Sequence, residues 1–228
     1  MEEVRIMKKT RDQNWQMSDT YRIGVLLALA GGFLDAYTFL CRGYAFANAQ
    51  TGNIVLMGIQ AARGEWAGVF FYLVPLAAFF AGILVAEMIR KRYKMSQSIH
   101  WRQLVVVLEI CILAVAAWIP QGNWNMAANA MISFVCALQI ESFRKINGNA
   151  FVTTLCTSNL RSATELLYQG VQKKDRGLLT RSIQYFGILL CFVMGAVAGG
   201  LLSIAFGLPS VLFVCGLLAV AFGLMFVK

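Results

Sequence analysis

The sequence predicts an all-α integral membrane protein with six transmembrane helices. We expect these helices to form two inverted three-helix repeats, each with an additional polar helix that is broken or re-entrant. Composition is the first observation behind this prediction. Of the 228 residues, 59% are hydrophobic and 14% are charged, whereas soluble domains average roughly 45–50% and about 25%. This composition excludes a cytosolic enzyme, a disordered chain and a nucleic-acid binder. On so apolar a chain, a net charge of +9 is typical of basic cytoplasmic loops.

Apolar segments of transmembrane length are the second observation. A helix needs roughly 20 apolar residues to cross a bilayer. Six segments come close to that length: residues 23–41, 69–89, 103–120, 126–143, 182–204 and 208–227. Two more polar segments, 46–62 and 151–169, are ambiguous, and the distribution of basic residues decides whether they cross. The expected domains are a cytoplasmic N-terminal tail at residues 1–21 and a single transmembrane domain at 22–228.

The distribution of Lys and Arg predicts the orientation. If the two polar segments do not cross, 17 basic residues lie on the side of the N-terminus, and only Arg42 and Arg63 lie on the other side. If both cross, the distribution becomes 11 inside against 8 outside. Since basic residues collect in cytoplasmic loops, the stronger asymmetry favours six spans with both termini in the cytoplasm.

An internal repeat is the third observation. With a shift of 106 residues, Asp35 aligns with Glu141, and the triplet Thr51-Gly52-Asn53 aligns with Thr157-Ser158-Asn159. Repeat one covers residues 22–120 and repeat two covers residues 126–228. Each repeat has three spans, so the second must enter the membrane from the opposite side. Inverted repeats are typical of transporters, whose sites lie near the midplane at the repeat interface.

The first polar segment also carries a family resemblance. The run Gly31-Gly32-Phe33-Leu34-Asp35-Ala36, followed by Phe46-Ala47-Asn48-Ala49-Gln50-Thr51-Gly52-Asn53 and Gly58, resembles the YoaK-type bacterial membrane proteins. Thr153-Thr154 with Thr157-Ser158-Asn159-Leu160 corresponds to a second element of that family, with Ser158 where glycine is common. The resemblance covers essentially the whole chain after residue 20. It implies a multi-span protein of the bacterial cytoplasmic membrane and supplies no substrate.

Polar side chains within or beside the apolar segments are the candidates for a substrate site. Ionisable groups inside spans are costly and usually face a partner, a cavity or the bundle interior. We interpret the two aligned triplets as turns of broken or re-entrant helices that line a central polar cavity. The predicted substrate-binding residues are Asp35, Asn48, Gln50, Thr51, Asn53, Glu141, Thr157, Asn159 and Arg161.

The two aligned carboxylates have alternative interpretations. Asp35 and Glu141 either flank the cavity, where they bind a cation or carry a proton, or they serve the structure alone. In the structural alternative, Asp35 is a satisfied buried acid and Glu141 reaches the membrane interface beside Arg144 and Lys145. Asn side chains also cap helices, which is a second explanation for both triplets.

The remaining charged residues of the apolar segments are equally ambiguous. Arg161 either pairs with Asp35 across the repeat interface or forms a local ion pair with Glu165, four residues further along the same helix face. Glu109 lies in the middle of segment 103–120. The sequence leaves it open whether Glu109 relays protons or pairs with a basic group from another helix.

Cysteine and histidine usage argues against a metal site or a catalytic site. The six cysteines are scattered singly without a CxxC pair, and the chain has one histidine, His100. Isolated cysteines in apolar segments are typical of small hydrophobic core residues. We therefore expect no cofactor, no metal and no enzymatic activity.

These patterns together predict a small-solute or ion permease in the cytoplasmic membrane, with a central polar site between the repeats. We expect it to carry a small polar solute or a cation. The alternative is a non-transporting membrane scaffold or assembly factor, in which the interior polar residues only orient helices. Because a 25.2 kDa bundle is small for a solute pathway and small residues recur at every fourth position in two segments, we also expect a homodimer.

Overall fold

The computed structural model describes residues 21–93, 101–144 and 156–226. These residues form eight α-helices and one short 3-10 helix, and no β-strand occurs among them. The predicted N-terminal tail lies outside the described residues, apart from Tyr21, with which the first helix begins. The helices are α1 Tyr21–Cys41, α2 Gln50–Ala62, α3 Trp66–Tyr93, α4 Trp101–Ala116, α5 Asn125–Ser142, α6 Cys156–Lys173, α7 Arg176–Phe206 and α8 Leu212–Leu224, with the 3-10 helix Leu208–Val211 directly before α8.

Each predicted apolar segment is helical over most of its length, so the all-α prediction is confirmed. The prediction of six membrane-crossing helices is not confirmed by helix length and composition alone. By length and composition, α1, α3 and α7 can cross a membrane, and the 3-10 helix with α8 forms a shorter apolar helix. Helix α4 ends at Ala116 after 16 residues, and the chain then continues as turns. The polar segments 46–62 and 151–169 contain α2 and most of α6, and residues 151–155 lie outside the described part.

Helix α1 lies at the centre of the bundle. In its most apolar stretch 67% of the residues are buried, compared with 22% in α3 and in α7, so those two helices lie at the periphery. The main hydrophobic core gathers side chains from α1, α4, α5 and α8, for example Leu27, Leu113, Ile132 and Leu218. A fully apolar helix that is buried on most sides belongs in such an interior.

Glycines allow the two closest helix pairs to approach. A Cβ at Gly32 of α1 would lie 2.0 Å from the Phe192 carbonyl oxygen of α7, and a Cβ at Gly195 of α7 would lie 2.1 Å from the Leu29 carbonyl oxygen. In the pair formed by α3 and α5, a Cβ at Gly82 would lie 2.6 Å from the Phe134 carbonyl oxygen. Small residues at helix crossings let backbones pack this closely.

Every helix pair of the first half has a counterpart in the second half. Helix α1 packs most extensively on α7, and α5 packs in the same way on α3. Helix α2 packs on α3 as α6 packs on α7, and α4 packs on α5 as α8 packs on α1. Helix α4 also packs on α8, α1 contacts α5, and α3 contacts α4 as α7 contacts the 3-10 helix directly before α8. When that 3-10 helix is counted as part of α8, exchanging the first four helices for the last four reproduces these helix pairs.

Helices α2 and α6 are shorter than the helices on which they pack. At 1.5 Å per residue, α2 spans about 20 Å beside the roughly 42 Å of α3, and α6 spans about 27 Å beside the roughly 47 Å of α7. Each joins its longer partner through a tight turn at its own C-terminal end. Both short helices therefore begin about halfway along a long helix.

The two short helices extend toward opposite ends of the bundle. The turn between α2 and α3 lies at the end where α1 finishes. This end also contains the N-terminal half of α5, where Asn129 donates a hydrogen bond to the Arg42 carbonyl oxygen at 2.8 Å. The turn between α6 and α7 lies at the other end, near the start of α1, where the Tyr21 hydroxyl donates to the Gln184 carbonyl oxygen at 3.3 Å. Helices α2 and α6 thus approach the middle of the bundle from opposite directions.

Candidate functional site

A cavity of about 970 Å³ lies where α2 and α6 begin. Its wall combines the middle of α1, α3 and α7 with the first residues of α2 and of α6. The polar side chains in the wall are Asp35, Asn48, Gln50, Thr51, Cys156 and Thr157. The aromatic side chains in the wall are Phe39, Phe46, Phe79 and Phe192. A concave, largely apolar site with a few convergent polar groups is the usual form of a small-molecule site.

The segment before α2 doubles back along α1 to reach this cavity. Gly43 and Tyr44 turn the chain with φ angles of 84° and 64°. Asn48 then donates a side-chain hydrogen bond to the Gly31 carbonyl oxygen at 3.1 Å. Because Gly31 precedes Cys41, the last residue of α1, by about 15 Å of helix rise, the returning chain lies at mid-length of α1. The Asn48 hydrogen bond therefore holds the returning segment against the middle of α1.

Asp35 joins α1 to the returning segment. Its Oδ1 accepts a hydrogen bond from the Asn48 backbone amide at 2.7 Å, and the amides of Ala47 and Ala49 lie beside the same carboxylate. The side chain is 8% exposed, and that remaining surface lies at the cavity. Asp35 therefore holds the loop in place and also presents a carboxylate to the cavity.

Asn53 stabilises the same loop from the first turn of α2. Its Oδ1 accepts a hydrogen bond from the Phe46 amide at 2.9 Å, and its Nδ2 donates to the Phe46 carbonyl oxygen at 2.7 Å. Nδ2 also donates to Gln50 Oε1 at 3.0 Å. Gln50 in turn donates to Ser133 Oγ of α5 at 3.4 Å. The polar residues at the start of α2 thus form one hydrogen-bond network that reaches the second half of the chain.

Five of the nine predicted site residues line the cavity: Asp35, Asn48, Gln50, Thr51 and Thr157. Asn53 is buried behind the cavity wall and serves the loop. Asn159, at the aligned position in α6, is also buried, with 2% of its surface exposed, and it is not part of the wall. The structure therefore brings the two aligned triplets to one place from separate halves of the chain, with one member of each in the wall.

Glu141 and Arg161, the other two predicted site residues, are not among the described residues that line the central cavity. Glu141 is near the end of α5, where it contacts Arg144 and lies 3.8 Å from Arg90. Arg144 also contacts Glu87 of α3. Long side chains near a helix end reach for charged partners at the bundle surface, which is the structural alternative for Glu141.

Arg161 lies one turn beyond Thr157 on the exposed face of α6. Among the described residues, Arg161 forms an ion pair neither with Asp35 nor with Glu165. Neither of the two ion pairs considered for Arg161 is therefore present. Glu165 instead accepts a hydrogen bond from Gln169 at 3.4 Å. Arg161 and Glu165 line a shallow groove of about 680 Å³ along α6, and Thr157 belongs to this groove and to the central cavity. The groove therefore continues from the cavity toward the end of the bundle that holds the turn between α6 and α7.

Arg42 is a buried residue that the sequence placed in an external loop. Its side chain is 0% exposed. It donates hydrogen bonds to the carbonyl oxygens of Ala116 at 2.7 Å and Ile119 at 2.8 Å, and to the Tyr37 hydroxyl at 3.1 Å. A cation is favourable at the C-terminal end of a helix such as α4. The position of Arg42 directly after an apolar segment was a sequence signal that it could be buried. Its carbonyl acceptors, Ala116 and Ile119, could not be identified because they lie more than 70 residues away.

Glu109 of α4 is fully buried, and neither carboxylate oxygen has a hydrogen-bond partner among the described residues. The structure therefore does not support an ion pair with a described basic group, while the proton-relay alternative stays a prediction. Within the described ranges, no group of three or more His, Cys, Asp or Glu side chains is arranged to hold a metal ion. All six cysteines carry free thiols.

Comparisons with known proteins agree with the membrane assignment. The family model described as "Protein of unknown function (DUF1275)" matches residues 23–224. A relative from Bacillus subtilis (strain 168), printed as "UPF0700 transmembrane protein YoaK", is 27% identical over 146 residues. That match covers 61% of this chain and 64% of the relative, which is less than two thirds of the relative's length. No solved structure matches the chain significantly. The resemblance to YoaK-type membrane proteins is confirmed.

Proposed function

This chain belongs to the DUF1275 family, and from that premise we propose that it is a membrane permease for a small solute or ion. Its site is the central cavity, at the interface of two inverted repeats. One observation carries the proposal: Asp35 and the N-terminal residues of two short helices, entering from opposite ends, line a single cavity. Polar groups and irregular backbone at membrane depth are tolerated where they line a water-filled or ligand-filled space.

Helix packing supports the inverted repeat. The main helix pairs are unchanged when the two halves are exchanged and the 3-10 helix is counted as part of α8. Thr51 of α2 and Thr157 of α6 both line the cavity, and these positions are related by the same 106-residue shift that aligns the two triplets. A pseudo-two-fold axis in the membrane plane relates repeats of opposite orientation, and short helices that meet head to head at the centre are what such an axis produces.

Charge supports the orientation. The end of the bundle near the start of α1 carries Arg90, Lys91 and Arg92 at the end of α3, and Lys173 at the end of α6. At the opposite end, Arg63 is exposed and Arg42 is buried. Since Lys and Arg accumulate in cytoplasmic loops, the proposed protein places the start of α1 and the turn between α6 and α7 at the cytoplasm. It crosses the membrane six times, through α1, α3, α4, α5, α7 and α8 with its 3-10 helix.

Water access to the two triplets tests the proposal. Thr51→Cys and Thr157→Cys are made in a chain whose six native cysteines are replaced by serine or alanine, because Cys156 itself lines the cavity. Sealed membrane vesicles of both orientations are treated with a membrane-impermeant thiol reagent. A permease keeps the cavity open to water, so we expect reaction at Thr157→Cys from the cytoplasmic side. We also expect excess solute to slow the reaction at Thr51→Cys.

Ser203→Cys provides the matched control, because Ser203 is buried on α7 and its hydroxyl lies 3.2 Å from Ser210 Oγ. That position should stay unreactive from both sides until the protein is denatured. Silence at Thr51→Cys and Thr157→Cys from both sides would contradict the permease and favour the scaffold. We propose further that the permease carries out no chemical conversion and acts as a homodimer, which cross-linking in native membranes would test.

A further inference from the structure

The ligand class can be taken one step further, on the basis of the proposed function. We infer that the central cavity binds an organic cation, an amine or quaternary ammonium with an apolar body. Two features of the wall lead to this inference: a carboxylate without a basic neighbour in the wall, and phenylalanine side chains contributed by four separate parts of the chain. Neither feature alone selects a cation, and together they form the usual receptor for a substituted ammonium group.

The charge of the wall is the first argument. Among the described residues that line the cavity, Asp35 is the only acidic residue, and no Lys, Arg or His is present. Two basic residues of the neighbouring helix segments lie elsewhere: Arg42 bonds the carbonyl oxygens at the end of α4, and Arg161 lies in the groove outside. The N-termini of α2 and α6 carry only about half a positive charge each, and Asp35 accepts the amide of the segment that leads into α2.

The aromatic side chains are the second argument. Phe39 of α1 and Phe46 of the returning segment stack with ring centroids 5.1 Å apart. Phe79 of α3 and Phe192 of α7 line the same cavity. Phenylalanine faces attract ammonium groups within about 6 Å of the ring centroid. The rings also supply the apolar surface that an aryl or alkyl group would cover.

The volume of the cavity argues against a bare inorganic cation as its ligand. A cavity of about 970 Å³ matches the 300–1,000 Å³ or so of sites for drug-sized molecules. A dehydrated Ca²⁺ or Mg²⁺ ion needs about six or more oxygen ligands in a compact shell. The described wall instead distributes a few polar side chains over a mainly apolar surface. An organic cation uses both the carboxylate and the rings.

Three water-soluble probes of matched shape test the inference: phenethylammonium, its neutral analogue 2-phenylethanol, and the anion phenylacetate. Binding to the purified full chain is measured by calorimetry, and uptake is measured in proteoliposomes. We expect phenethylammonium to bind more tightly than either analogue. Asp35→Asn should weaken phenethylammonium binding about tenfold or more and leave 2-phenylethanol binding unchanged. Glu165→Gln, which removes an acidic charge outside the cavity, should leave both unchanged.

Phe79→Leu gives an independent measurement that does not disturb the Asp35 hydrogen bond. It keeps apolar volume but removes a ring face, so phenethylammonium binding should fall about two- to thirtyfold. If Asp35→Asn melts at a lower temperature than the parent protein, the Phe79→Leu result becomes the test of organic-cation binding. Equal or tighter binding of 2-phenylethanol or phenylacetate would overturn the organic cation.

The same experiment separates the ligand from the proposed transport. Uptake of solutes without preference for a cation contradicts the organic cation and leaves the permease standing. Phenethylammonium binding that depends on Asp35, without uptake, supports the organic cation and contradicts the permease.

Discussion

Helices α2 and α6 begin at one cavity, yet their outward faces differ in chemistry. Helix α2 contains no charged residue, and it exposes the apolar side chains Ile54, Val55 and Ile59. Helix α6 exposes Arg161 and Glu165 along a groove. Val55 and Arg161 occupy aligned positions, 106 residues apart, so the contrast is visible at a single position of the repeat.

This difference shows that a symmetric backbone need not provide symmetric access. Lipid favours apolar side chains on the outward face of a helix, whereas charged side chains are retained where water or protein meets them. The central cavity shares Thr157 with the polar groove of α6. We therefore expect water to reach the cavity along α6, while the exposed face of α2 contacts lipid. Three experiments test whether the two helices differ in this way.

The largest effect is expected for thiol labelling at the aligned pair. Val55→Cys and Arg161→Cys are made in the chain without native cysteines and treated with a membrane-impermeant reagent. Because the thiolate is the reactive form and requires water, Arg161→Cys should react nearly completely from the α6 end. Val55→Cys should remain unlabelled until detergent and denaturant expose it. Equal labelling of both variants in sealed membranes would show that the two outward faces share one environment.

Replacing Arg42, which anchors the segment before α2, should have the second largest effect. Arg42 bonds two backbone carbonyls at the end of α4, whereas the aligned position in the second repeat is Gly148, which has no side chain to donate. Arg42→Met should destabilise the protein by about 2–4 kcal/mol, since buried hydrogen bonds from a charged group are lost. Thermal unfolding in detergent measures this change. Arg63→Met, at an exposed arginine on the same end of the bundle, is the matched control, and equal melting temperatures would contradict a specific anchor.

A smaller effect is expected at the two aligned asparagines. Asn53→Ala leaves the Phe46 amide and carbonyl without their partner, which should cost about 1–3 kcal/mol in thermal unfolding. Asn159 is equally buried, so we expect Asn159→Ala to destabilise by a similar amount. Thr164→Ala on the exposed face of α6 serves as the control and should change stability little. A neutral Asn159→Ala would mean that the two aligned asparagines do not have equivalent structural roles.

Much of the cavity could be predicted from the sequence, because its residues are marked by local contrast. Asp35, Asn48, Gln50, Thr51 and Thr157 are polar groups in an apolar chain, and the recurrence of the triplet singled out α2 and α6. The two residues that lie away from the cavity show the limit of this reasoning. Glu141 reaches charged neighbours at the bundle surface, and Arg161 lies one helical turn too far out. Alignment between repeats identifies equivalent backbone positions, but it does not determine where a long side chain ends.

A helical chain that belongs in a membrane was predictable from the amino-acid sequence. Apolar segments must satisfy their backbone within each helix, so composition and length were enough. Only the tertiary structure decided which helices meet, because the apolar segments resemble one another in hydropathy. Close contacts at glycines such as Gly32 and Gly82 determine those pairs. The tertiary structure also buried Arg42, because its acceptors on α4 become neighbours only when the bundle assembles.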